Sequence, residues 1–514
     1  MRTVGDWVRI NRNRHPAGDA FVGVDGRVSF AEAAERAWAL GRGLRDADVG
    51  VGDPVGVLAG NTVFNAELFL GVAVSGGVYA AYNWRWSAQE LAEGIRESRA
   101  GLIFTEDRFA PLLQDALAVL AAEADTRELP RVIEQGEVER LRTGTGPLAD
   151  VVTPGDGLCL LYTGGSTGTS KAVLLSHGSA VANAINEYTD CKIGQAATER
   201  GLLSTPMFHS AGVITWLFTL FFAGKPTILL DRFDEEQFVH WVTAEQATNS
   251  FMIPNMMRQL MQAGAFDAPG VQRHFRALHT GAGLLRMPDK ERFLATLPGA
   301  ELYFRYGLTE AGPMVSRLLH EDILDPAADG SIGKEYHLVE VELFQVDGQH
   351  EPVATGDLGE ICVRGPNVMS GYFHRPEATA ETIRDGWLHT GDLAIRDDRG
   401  YLFFQDRVKD MIKSGGENVY SAEVEQTLYL HPSVLEAAVL GVDSDAWGEE
   451  VRAVVCLRED RDQVSASDLQ TFLRQHIAGY KVPKAVTFVQ PAELPRTGAG
   501  KLVKARLKRQ LGWQ

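Results

Sequence analysis

The chain has 514 residues, 45% of them hydrophobic and 23% charged, which suits a folded globular protein but is too long for one core, since single cores stop growing at about 250–300 residues. Acidic side chains outnumber basic ones by 68 to 50, and the net charge of −18 argues against a nucleic-acid partner, because a phosphate backbone needs a basic face. Four cysteines, Cys159, Cys191, Cys362 and Cys456, stand apart without a CxxC pair, which predicts small core residues in a reducing cytoplasm rather than a disulfide framework or a metal knuckle.

Near the N-terminus Asp6 and the arginines at 9, 12 and 14 stand where a signal peptide would carry an apolar run, so no signal peptide is expected. Residues 28–48 read as an amphipathic helix opened by Ser29 with Glu32 three positions on, a capping-box pattern. Residues 53–59 read as a short apolar strand and 65–75 as a helix. Strands follow at 102–105 and 158–162, the second running straight into a glycine-rich loop. Residues 201–224 contain no Lys, Arg, Asp or Glu, and a membrane span needs about 20 apolar residues. Ser204, Pro206, His209 and Ser210 interrupt the first half, so a buried strand, loop and helix is expected, and no transmembrane segment.

Short strands alternate with helices to about residue 317, the pattern of an α/β fold with mostly parallel sheets. Four short strands between 339 and 405, separated by Gly and Asp turns, predict a small antiparallel β subdomain over about 330–405. Beyond 406 a helix at 420–429, strands at 434–442 and 451–457 and a helix at 466–477 predict a small mobile α+β domain. The expected organisation is a large N-terminal domain at 1–405, a hinge at 406–410 and a C-terminal lid at 411–514.

The loop after strand 158–162 reads Thr163-Gly164-Gly165-Ser166-Thr167-Gly168-Thr169-Ser170-Lys171. Glycines let backbone N–H groups approach a phosphate, hydroxyls add donors, and a lysine supplies charge. The composition also suits an ordinary flexible turn, and it does not fit the P-loop pattern. Further on stand Tyr306-Gly307-Leu308-Thr309-Glu310, Trp387-Leu388-His389-Thr390-Gly391-Asp392, Asp406-Arg407-Val408-Lys409-Asp410 and Pro495-Arg496-Thr497-Gly498-Ala499-Gly500-Lys501.

In this order and spacing the five segments resemble the signatures of the acyl-adenylate-forming superfamily, which includes acyl-CoA synthetases, firefly luciferase and the adenylation domains of peptide synthetases. Ser170 and Ala172 depart from that family's usual Pro and Gly around the loop lysine. The resemblance implies that Thr163, Gly164, Gly165, Ser166, Thr167, Gly168, Thr169 and Lys171 cradle the ATP phosphates. It implies that Tyr306, beside Gly307, stacks on adenine, that Thr309 touches the α-phosphate and that Glu310 binds Mg²⁺. Asp392 and Arg407 would hold the ribose, and Lys501 would bridge the carboxylate and the α-phosphate. Lys409 would be the hinge, bringing Lys413, Gly415 and Gly416 toward the acceptor.

The segment Pro206–Gly212 is similar to the acid-pocket segment of acyl- and aryl-CoA synthetases. Phe208, His209, Gly212 and Trp216 would then line the acid pocket with the Gly281-Ala282-Gly283 turn, which also borders the nucleotide. Residues 208–217 contain no aspartate to pair a substrate ammonium, so an amino-acid substrate is not expected. Arg305 stands where many fatty-acid and hydroxycinnamate ligases have Gly, and malonyl-CoA synthetases share its Arg-Tyr-Gly. Its side chain either shortens the acid tunnel, pairs with a second anionic or polar group on the acid, or forms an outward salt bridge, so a medium, aryl or polar acid is as plausible as a long fatty acid. The expected activity is an ATP-, Mg²⁺- and coenzyme A-dependent acid–CoA ligase. The alternative acceptors are a carrier-protein pantetheine thiol or an amine. A scaffold that has lost catalysis fits poorly with Glu310, Asp392, Arg407 and Lys501 all in place. The oligomeric state stays open.

Overall fold

The structure is a computed structural model and describes residues 2–122, 128–163, 171–283, 285–346, 351–415, 417–444, 446–458, 464–496 and 502–513. The chain packs as two compact units, residues 1–341 with 363–388, and residues 342–362 with 389–514.

The first unit is an α/β body built on two sheets. One has nine strands. Its centre runs Glu301–Gly307, Ala277–Gly281, Asn249–Met252, Gly201–Leu203, Thr227–Leu229 and Asp19–Gly23, all parallel, with antiparallel strands at both edges. The other has seven strands. Gly157–Thr163, Val78–Ala81, Pro54–Leu58, Leu102–Thr105 and Arg131–Glu134 are parallel, and Lys171–Ser176 and Gly371–Tyr372 close one edge antiparallel. These strands are short apolar runs because helices cover both faces of such sheets.

The helix Phe30–Asp46 starts at the Ser29–Glu32 capping box, with both reciprocal hydrogen bonds formed. The neighbouring helix Val63–Ser75 is buried at every position, so its sequence shows no polar stripe. The uncharged stretch 201–224 folds as the strand Gly201–Leu203, a loop, a π-helical segment Ala211–Phe218 and the short helix Thr219–Phe222. Among the described residues no helix is long and apolar enough to cross a membrane.

Strands Glu340–Phe344, Leu358–Arg364, Trp387–Arg396, Ile383–Arg384 and Leu402–Arg407 share one further sheet. In the second unit the hairpin Val434–Ser444/Gly448–Leu457 is flanked by Ile412–Ser414 and, in parallel, by Ala485–Phe488. Helices Ser421–Tyr429 and Ala466–Arg474 bury Val424, Leu428, Leu469 and Leu473 in a core with Val439 and Val455.

Candidate active site

The strand Glu301–Gly307 delivers the first group of side chains. A Cβ on Gly307 would lie 2.1 Å from the carbonyl oxygen of Pro313, so only glycine lets the chain fold back here, where Leu308 N–H donates to that carbonyl at 2.9 Å. The turn so formed carries Thr309 and Glu310. Glu310 Oε1 accepts hydrogen bonds from the Thr163 hydroxyl at 3.3 Å and the Tyr372 hydroxyl at 3.1 Å. The Thr309 hydroxyl lies 3.1 Å from that of Ser210. Thr163 and Lys171 are directly paired across their hairpin, and Lys171 Nζ sits 4.6 Å from the Tyr372 ring centre.

Residues from both sheets of the first unit therefore meet where Glu310 faces Thr163. A carboxylate set among hydroxyl oxygens is the hard donor set that suits Mg²⁺ shared with phosphate oxygens. Burial first, and then the Glu310 carboxylate, hold the Tyr372 phenol protonated far above its ordinary range, so it stays a donor. Gly164, Gly165, Ser166, Thr167, Gly168 and Thr169 lie outside the described residues. Tyr306 is half-buried at the strand end.

The loop before the π-helical segment forms the next wall. Asn61, buried, donates to the carbonyls of Thr205 (3.1 Å) and Leu230 (3.2 Å) and accepts from Met207 N–H (3.0 Å), which fixes the chain leading to Phe208 and His209. The Phe208 and His209 rings are 4.5 Å apart. A Cβ on Gly212 would meet the Pro206 carbonyl at 2.2 Å, so glycine is required where the loop closes on itself.

Behind this loop Trp216 is fully buried, with its ring 5.3 Å from His279. His279 Nδ1 accepts from Arg305 Nη2 at 2.6 Å, and Arg305 pairs with Glu187 Oε2 at 2.7 Å. Glu187 also accepts from the Tyr336 hydroxyl at 2.8 Å. Burial, and then the Arg305 charge, hold His279 well below the ordinary histidine range, so it is the neutral acceptor. Arg305 is thus neither on the surface nor dependent on a substrate for its counter-charge, because the helix His177–Asp190 supplies one. The Gly281-Ala282-Gly283 turn lies beside it, Gly281 pairing with Arg305 across the sheet. Ala282 is held at φ +62°, a left-handed conformation that costs an L-residue roughly 1–2 kcal/mol.

In the second unit Arg407 Nε pairs with Asp392 Oδ1 at 3.0 Å, the two residues standing opposite each other on neighbouring antiparallel strands. Glu360 anchors the turn that presents Asp392: one oxygen accepts from Gly391 N–H at 2.9 Å and the other pairs with His389 Nδ1 at 2.8 Å. Lys409 lies in the turn after Arg407, and burial, followed by the Arg407 charge, lowers its pKa. Lys413 is exposed on the hairpin that follows. Gly415, at φ +61°, donates its N–H to the Trp447 carbonyl at 2.8 Å. Gly416 and Lys501 lie outside the described residues. Tyr372, Glu187, Asn61 and Glu360 carry no local sequence signal, because each works through a partner distant in the chain.

The AMP-binding enzyme family matches residues 8–373, and the AMP-binding enzyme C-terminal domain matches residues 423–501. The chain belongs to this family of nucleotide-dependent enzymes. A feruloyl-CoA synthase from an Amycolatopsis species is 35% identical over 515 residues, covering 99% of both chains. A 2-succinylbenzoate–CoA ligase from Geobacillus kaustophilus is 34% identical over 516 residues, covering 99% of this chain and 98% of the relative. Among solved structures, o-succinylbenzoate CoA synthetase from Bacillus subtilis with its acyl-adenylate intermediate superposes with TM-score 0.84 at 26% identity, covering 98% of this chain and 97% of that one. ATP-bound MatB from Rhodopseudomonas palustris gives TM-score 0.87 at 26% identity, covering 99% of both. Within the family the chain therefore falls among the AMP-forming acid–CoA ligases.

Proposed function

We propose that the chain activates a compact carboxylic acid, aryl or of short to medium length, as its acyl adenylate and passes the acyl group to coenzyme A. The observation that carries the choice of acid is the buried wall of Trp216, His279, Arg305 and Glu187 behind the His209–Gly212 loop. On this reading the wall bounds the acid pocket and leaves no room behind it for a long alkyl chain. The likeness to a feruloyl-CoA synthase and a 2-succinylbenzoate–CoA ligase supports the same reading.

A carboxylate is a poor acyl donor because its own charge repels a nucleophile, and joining it to AMP provides a leaving group. The obstacle is the approach of one anion to the α-phosphorus of another, so the site must neutralise charge on the phosphoryl oxygens. Glu310, with Thr163 beside it, has the oxygen donors to hold a magnesium ion, which when bound supplies positive charge to the phosphates. Lys171 adds a cation at the start of its strand, and Thr309 donates to the α-phosphate. Tyr306 offers its half-exposed ring to adenine, while Asp392 and Arg407 take the ribose. His209 orients the acid, and Lys501 bridges the acid and the α-phosphate. In the second half-reaction the chain turns about Lys409 and presents Lys413, Gly415 and Gly416 to coenzyme A. A reducing cytoplasm suits the four buried cysteines, which form no disulfide among the described residues.

The test is pyrophosphate release across a panel of aryl, medium-chain, dicarboxylic and long-chain acids, with mass spectrometry of the product with and without coenzyme A. A thioester formed fastest from an aryl or medium-chain acid is expected. Preference for a long-chain acid would place the wall elsewhere. Adenylate that forms but gives no thioester with coenzyme A would make the acceptor a carrier-protein thiol or an amine.

A further inference from the structure

Residues 367–373 form a strap across the Glu310 turn. The Asn367 side-chain amide donates to the carbonyls of Ala311 at 2.5 Å and Met314 at 3.3 Å, and Met369 N–H donates to the Glu310 carbonyl at 2.9 Å. Gly371 and Tyr372 then pair with Leu174 and Val173, and Phe373 N–H donates to the Ala172 carbonyl at 2.8 Å. The strap is thereby bonded to the turn that carries Glu310 and to the strand that begins at Lys171. Its one side chain aimed at both is Tyr372, whose hydroxyl donates to Glu310 at 3.1 Å and whose ring centre lies 4.6 Å from Lys171 Nζ.

We propose that Tyr372 is a positioning residue for the ATP-dependent half-reaction: its hydroxyl sets the Glu310 carboxylate and its ring holds the Lys171 ammonium. The physical problem it solves is the mutual attraction of those two groups. A carboxylate and an ammonium that serve the same phosphates attract each other, and once closed into an ion pair each is lost to the phosphates and the metal it should meet. A phenol satisfies both without charge, giving a hydrogen bond to the anion and a negative ring face to the cation. The role rests on the proposed assignments of Glu310 to metal and Lys171 to phosphate.

The test compares Tyr372→Phe with Tyr372→Leu by calorimetric titration of ATP, with and without Mn²⁺ and without any acid. Tyr372→Phe keeps the ring and loses the donor. Its metal-free ATP affinity should stay within about twofold of wild type, while the gain in affinity on adding Mn²⁺ falls at least threefold. Tyr372→Leu should lose at least threefold under both conditions. Thermal melts establish that each variant is folded, and if Tyr372→Leu is not, the metal dependence of Tyr372→Phe decides alone. Wild-type metal dependence in Tyr372→Phe, or wild-type metal-free affinity in a folded Tyr372→Leu, overturns the proposal. A wild-type protein that binds Mn²⁺ and ATP but releases no pyrophosphate with any acid would sink the ligase reading and leave this comparison intact; failure to bind ATP at all would sink both.

Discussion

Arg305 is a charged side chain at 1% exposure, held by Glu187 on one side and by neutral His279 on the other. Burial makes such a pair expensive to break and of little net benefit to form. Arg305→Leu strands the Glu187 carboxylate and should destabilise the protein by about 3–5 kcal/mol, read as a lower urea midpoint. Arg305→Leu with Glu187→Leu removes both charges and should recover most of that loss. Arg305→Gly with Glu187→Ala instead opens the wall. Each buried methylene contributes about 0.8 kcal/mol, so an acid two methylenes longer than the best wild-type substrate should gain roughly tenfold in kcat/KM. An unchanged chain-length preference in that variant would show that these residues do not bound the acid.

The helix His177–Asp190 supplies Glu187, and its first residue is itself buried. His177 Nδ1 accepts from Val4 N–H at 3.3 Å, and burial lowers the imidazole pKa from the usual 6.5 to about 4. Above pH 6.5 the ring is neutral in both the folded and the unfolded chain. Between pH 6.5 and about 4 the unfolded chain takes the proton first, so stability falls as pH drops, by up to about 3 kcal/mol at 1.36 kcal/mol per pKa unit. His177→Asn keeps an acceptor for Val4 and removes the titration, so its stability should fall less steeply over that window. Acid-unfolding curves identical to wild type would remove His177 from the acid response.

Elements were legible in the sequence where their signals are local. Ser29 and Glu32 are three residues apart, and the helix starts where they place it. The turn Tyr306–Glu310 could be placed because its motif is contiguous. What joins elements was not legible. Arg305 was visible only as an unusual residue, because nothing in the spacing of Glu187 marks it as the partner. Tyr372 reaches Glu310 across 62 positions from a two-residue strand too short to leave a pattern. The π-helical segment 211–218 reads as an ordinary apolar helix, because its run of apolar residues does not distinguish π from α geometry.

At the scale of the whole molecule the two half-reactions should separate by mutation. Lys501→Ala removes the charge proposed to bridge acid and α-phosphate. Losing one such preorganised donor costs on the order of 2.7–4 kcal/mol, so adenylation should slow about a hundredfold or more while supplied acyl adenylate is still converted to thioester. Lys409→Pro fixes φ at the proposed pivot and should show the reverse, with adenylation kept and transfer sharply reduced. Equal loss of both steps in both variants would mean that the residues act on folding rather than on separate reactions.

An acyl-adenylate route requires that the acid attack the α-phosphorus of ATP. The most direct measurement follows ¹⁸O from a doubly labelled carboxylate through one complete turnover with coenzyme A. Attack at the α-phosphorus leaves one labelled oxygen on AMP and one in the thioester carbonyl, with none in pyrophosphate. AMP without label, or label in inorganic phosphate alongside ADP, would contradict an acyl-adenylate route.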